Sequence, residues 1–137
     1  MLVVSACLAG IHCRYDHGTK ADETVMRLVR EGKAIPVCPE MLGGMTTPRP
    51  PSERTADGSA VVNCEGRDVT AEFMRGAEET LHICRMYGVN HAILKARSPS
   101  CGKGLIYNGN FDGGLREGNG VTAELLMNNG ISVELID

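Results

Sequence analysis

The chain has 137 residues, a formal net charge of −3, 42% hydrophobic and 23% charged residues, two Phe, three Tyr and no Trp. That length predicts one domain, 1–137, large enough to bury roughly two-thirds of its unfolded surface without covalent staples. The acidic balance and the scarcity of aromatic rings argue against a nucleic-acid partner, which demands a basic face or a stacking platform, and no apolar stretch is long enough to span a bilayer.

The first element is a buried strand over Leu2–Ala6. Because MLVVSACLAG lacks a basic leading segment, it reads as core rather than as a secretory signal, and a cytoplasmic location is expected. A helix follows from Asp22 to Arg30, with Val25, Leu28 and Val29 on one stripe and Gly32 as its stop. Ala34–Val37 is a second apolar strand, followed by a Gly/Pro-rich stretch from Cys38 to Gly58. Ala60–Val69 reads as a hairpin turning at Glu65-Gly66. The strongest helix spans Val69–Tyr87, where Phe73, Ala77, Leu81 and Cys84 share a face and Gly88 supplies a left-handed cap. His91–Ala96 is a third strand. A second Gly-rich stretch, Cys101–Gly120, contains a small hairpin about Asn108-Gly109. A last helix, Val121–Asn128, ends at Asn129-Gly130, and Ile131–Ile136 is the final strand.

Strands alternating with helices predict an α/β fold: a Rossmann-like or flavodoxin-like, mainly parallel sheet of about four strands, helices on both faces. Long Gly/Pro-rich loops then gather at the carboxyl edge of the strands, where such sheets bind ligands.

The six cysteines, in a chain read as cytoplasmic, point to metal binding or catalysis rather than disulfides. Cys7 ends the first strand, Cys38 ends the second and Cys101 follows the third, so all three project from one edge of the sheet. Converging thiolates suit a soft metal; the same placement also fits small cysteines packed at strand ends. Each is flanked by usable chemistry. Cys38 precedes Pro39, Glu40 and Gly43-Gly44, and a buried glutamate there can act as a general base. Cys101 sits in Ser98-Pro99-Ser100-Cys101-Gly102, whose serines can donate hydrogen bonds or cap the turn. Cys84 belongs to the helix core, Cys64 to an exposed turn, and Cys13 fits packing, a redox thiol or a fourth ligand. Lys95, Arg97, Arg14 and Arg49 are expected to line the pocket with positive charge. The four histidines form no ligand pair at helical spacing.

Three segments, SACLAGIHCRYDHG, PVCPEMLGGMTTPRPPSE and LKARSPSCG, resemble the family of small desulfidases that includes 2-thiouracil desulfidase, in the same order and spacing over nearly the whole chain. The resemblance implies a 4Fe-4S cluster held by Cys7, Cys38 and Cys101, with one iron left open for the sulfur of a small thiolated substrate such as a thiouracil. It also implies catalytic roles for Glu40 and Ser98, and hydrolytic replacement of C=S by C=O with release of hydrosulfide. Two alternatives stand beside it: a structural zinc protein without catalysis, and a metal-independent enzyme with Cys7 or Cys101 as nucleophile, its pKa lowered at a helix N-terminus.

Overall fold

The computed structural model describes residues 1–137. In chain order it contains β1 (Leu2–Ser5), α1 (Glu23–Arg30), β2 (Ala34–Val37), α2 (Pro39–Leu42), β3 (Ser52–Arg54), β4 (Val61–Asn63), α3 (Thr70–Tyr87), β5 (His91–Lys95), β6 (Leu105–Tyr107), β7 (Leu115–Glu117), α4 (Val121–Asn128) and β8 (Ser132–Ile136). The core is a four-stranded sheet in the order β2-β1-β5-β8, parallel throughout. This is the expected flavodoxin-like arrangement.

Strand β1 has neighbours on both sides and helices over both faces, which explains why it is continuously apolar rather than alternating. Val3 points into a core built with Leu81, Cys84 and Leu126 of α3 and α4. Val4 points the opposite way, into a core with Val25 of α1 and Leu8. On β5, Ala92 and Leu94 join the first layer and Ile93 the second. Asp22 caps α1 by accepting the Val25 amide at 3.0 Å, an arrangement generally contributing about 1 kcal/mol. Gly88 ends α3 in the left-handed conformation, φ 64°.

The two expected hairpins fare differently. The expected Ala60–Val69 hairpin is reduced to a single bridge, Val62 to Asp68, around the Gly66 turn. The main partner of β4 is instead β3, at Glu53↔Val62, because the Gly/Pro-rich stretch ends in a strand that competes for the same edge. The expected hairpin in the second Gly-rich stretch is present as β6 and β7, with Gly109 at φ 96° in the connecting loop.

The short helix α2 follows Cys38 immediately and has no periodicity to announce it. Its position is set by contact with α3 at two glycines. A Cβ on Gly76 would lie 1.9 Å from the Pro39 carbonyl oxygen, and one on Gly43 would lie 1.9 Å from that of Glu72. Helix propensity alone favours alanine at Gly76 by about 1 kcal/mol. The backbone clash reverses that sign: Gly76→Ala is expected to lower stability by about 2 kcal/mol net, against roughly 1–3 kcal/mol for overpacking in general. Urea unfolding measures this directly, and a stabilised variant would refute the packing argument.

Candidate active site

At the carboxyl edge of the sheet lies a cavity of about 510 Å³, within the usual range for small-molecule sites. In a sheet of this order the chain switches sides between β1 and β5, and that is where a ligand crevice opens. Cys7 follows β1 in a single 3-10 turn, Ala6–Ala9. Cys38 lies between the end of β2 and α2. Cys101 follows β5 across the Pro99 turn. All three line this cavity, together with Glu40 and Ser98; the parallel register brings these five sequence-chosen residues to one place. Cys7 and Cys101 are buried, while Cys38 is half-buried.

The remaining cysteines divide. Cys84 is fully buried in the helix-side core. Cys64 is exposed and Cys13 buried, and both also reach the cavity wall. Of the four expected cations, Arg14, Arg49 and Lys95 line the cavity. Arg97 does not: its backbone is in the left-handed region at φ 71°, and its guanidinium pairs with Asp137 at 2.8 Å instead. Among the serines, Ser100 is turned away from the cavity, fully buried and bonded to Thr122 at 2.8 Å.

The site is held by specific bonds. Glu40 forms an ion pair with the Arg49 guanidinium at 3.6 Å, both side chains largely buried. Arg49 also donates to the carbonyls of Cys13 and Thr46, each at 3.0 Å, so it ties the Cys13 turn to the α2 segment. The Ser98 hydroxyl oxygen accepts the Cys101 amide at 2.6 Å. A hydroxyl accepts and donates at once, so the Ser98 proton stays free. The Ser5 hydroxyl donates to Cys101 Sγ at 3.4 Å and accepts the Lys95 amide at 2.9 Å. Ser5 was not singled out in the sequence, since a serine ending a strand carries no signal there. Ser52, which opens β3 within the proline-rich stretch, also lines the cavity, and its hydroxyl is buried without a protein partner.

The thiols feel each other's charge. Burial pushes the Cys7 thiol up to about 11; Glu40 and Cys38 push the same way, and Arg14 and Lys95 oppose them. Cys101 is raised further, first by burial and then by Glu40, with Cys7 and Cys38 adding to it. Cys38 is lowered, chiefly because the Cys13 thiol hydrogen-bonds to it, and that same bond keeps the proton on Cys13. The Lys95 ammonium is lowered by burial and by its cationic neighbours.

A parallel α/β sheet with thiols, carboxylates and hydroxyls gathered at its ligand-binding edge defines a small α/β protein with a sulfur-rich small-molecule site. The sequence profile of the 2-thiouracil desulfurase family matches residues 2–137, and the chain belongs to that family. It is 45% identical over 141 residues to the uncharacterised protein YbbK of Bacillus subtilis (strain 168), covering 97% of this chain and 93% of that one. It is also similar to a solved structure described as the 4Fe-4S-dependent thiouracil desulfidase TudS. The TM-score is 0.92, with 48% identity, and the match covers 98% of this chain and 89% of that one. No helix of the chain is long and apolar enough to cross a membrane.

Proposed function

We propose that residues 1–137 act as one cytoplasmic desulfidase domain that hydrolyses the thiocarbonyl of a small thiouracil-type substrate, using a 4Fe-4S cluster held by Cys7, Cys38 and Cys101. The observation that carries this reading is the convergence of three thiols, distant in sequence, on one cavity with Glu40 and Ser98. The reaction is redox-neutral: C=S and water give C=O, hydrosulfide and a proton.

The donor set fits the cluster. Three soft thiolates from three separate loops suit iron and sulfide, and Arg14, Arg49 and Lys95 on the wall offset the negative charge such a group brings. No three His, Cys, Asp or Glu side chains are grouped so as to hold a single metal ion. A closed structural zinc site would also take a fourth ligand beside the three thiols, which the desulfidase reading does not require. The raised thiols of Cys7 and Cys101 disfavour the cysteine-nucleophile alternative, since the thiolate is the reactive form.

When bound, the cluster supplies a soft Lewis acid for the thione sulfur. Glu40 takes a proton from water and directs the oxygen at the thiocarbonyl carbon. Arg49 fixes the carboxylate that does so. The free proton of Ser98 is donated to the substrate, orienting its ring.

In ¹⁸O-labelled water the carbonyl formed is expected to carry one labelled oxygen; unlabelled uracil, read by mass spectrometry, would remove water as the attacking group. Ser98→Ala is expected to keep its iron and lose about 10- to 100-fold in kcat, the scale of a hydrogen bond of about 1.5–3 kcal/mol. Unchanged kcat would remove Ser98 from the mechanism.

A further inference from the structure

Of the chain's two Phe and three Tyr, Phe73, Phe111, Tyr15 and Tyr107 line the cavity, and Tyr87 alone does not. Such a concentration marks a surface built for a flat ring. Three of the four have other work. Phe73 is buried in a core with Val61, Val69 and Ala77. Tyr15 lies beneath the Arg14 guanidinium, 5.7 Å from the ring centre. Tyr107 is fixed in β6, paired with Leu115 of β7.

Phe111 is different. Like Tyr15 and Tyr107 it lies outside the three buried clusters and is partly exposed, at 39%, but it sits in a loop outside every strand, and no cation lies over its ring. Its backbone has φ 56°, a conformation that a bulky side chain rarely adopts without a reason. The strained loop is held from below. Glu53, nearly buried on β3, accepts the amides of both Gly109 at 2.8 Å and Phe111 at 3.1 Å on one carboxylate oxygen. Arg116 ties the same hairpin to the carbonyl of Thr55 at 2.7 Å. A rigid clamp thus presents an apolar ring to the cavity at a position where packing does not require it.

We propose that Phe111 is a specificity-determining residue that stacks on the planar heterocycle of the substrate, restricting the enzyme to flat heteroaromatic thiones. The inference rests on the desulfidase reading and names the ring class that site accepts. Stacking acts on substrate and product alike, so it lowers KM and leaves the chemical step unchanged. The ring of a base on an aromatic side chain is worth about fivefold to 150-fold in binding.

The test uses anaerobically reconstituted protein. Phe111→Leu should raise KM for 2-thiouracil and Ki for uracil together by about tenfold, with kcat within about twofold of wild type, and Phe111→Tyr should restore both constants. The wild-type enzyme should show a KM for 5,6-dihydro-2-thiouracil, which keeps the thione but loses the flat ring, about tenfold above that for 2-thiouracil. This comparison stands even if Phe111→Leu does not fold. Equal constants for the flat and puckered substrates, unchanged constants in Phe111→Leu, or no rescue by tyrosine would each overturn the proposal. Wild-type protein that releases no uracil at all would instead sink the desulfidase reading itself.

Discussion

Serine in place of Cys7, Cys38 or Cys101, one at a time, is expected to leave a folded protein that retains little iron after anaerobic reconstitution and whose activity falls below about 1% of wild type. Losing a ligand costs more than the 10- to 100-fold typical of a supporting residue, and a hydroxyl is a poor substitute for a soft thiolate. Cys13 is the informative control. It reaches the same cavity but is not one of the three proposed ligands, so Cys13→Ser should hold its iron. Cys64→Ser and Cys84→Ser should do the same. Iron and sulfide per chain, with the visible spectrum, measure the outcome. If Cys13→Ser lost iron as fully as Cys7→Ser, the site would have four protein ligands, and no iron would be left open to substrate.

Glu40→Gln is expected to keep the iron and the visible absorbance but to lose about 10²–10⁴ in kcat, the usual contribution of a general base. Glutamine preserves the size and polarity of the side chain while removing the proton acceptor, so the change tests proton transfer with little disturbance of packing. The ion pair to Arg49 at 3.6 Å makes Arg49→Gln a useful companion: with the carboxylate retained but no longer anchored, it should be impaired less than Glu40→Gln. Near-normal turnover in Glu40→Gln with an intact spectrum would remove Glu40 from catalysis.

The sheet was legible because its strands are short apolar runs, each ended by glycine, proline or a helix of clear period. Leu2–Ser5, Ala34–Val37 and His91–Lys95 fall within the segments read as strands, and parallel pairing follows from the helices between them. The convergence of Cys7, Cys38 and Cys101 followed from that topology, since parallel strands deliver their carboxyl ends to one edge. The parts that were not legible depend on contacts between segments that sequence periodicity does not encode. Helix α2 is a single turn placed by the close approach of Gly43 and Gly76 to facing backbone. Strand β3 emerges from a proline-rich stretch and captures β4 from the expected hairpin. Arg97 faces away from the cavity because its left-handed backbone turns it toward Asp137. The scarcity of aromatic residues argued against a nucleic-acid platform, and nothing in their spacing revealed that four of the five would meet around one cavity.

The most direct test of the central claim is a single stoichiometric assay. Protein reconstituted without oxygen, carrying about four irons per chain, is incubated with 2-thiouracil, and uracil, hydrosulfide and iron are measured before and after exposure to air. The account predicts one hydrosulfide for each uracil, with activity lost in step with the visible absorbance as the cluster is oxidised. Uracil formation that continues undiminished in metal-free protein would contradict it.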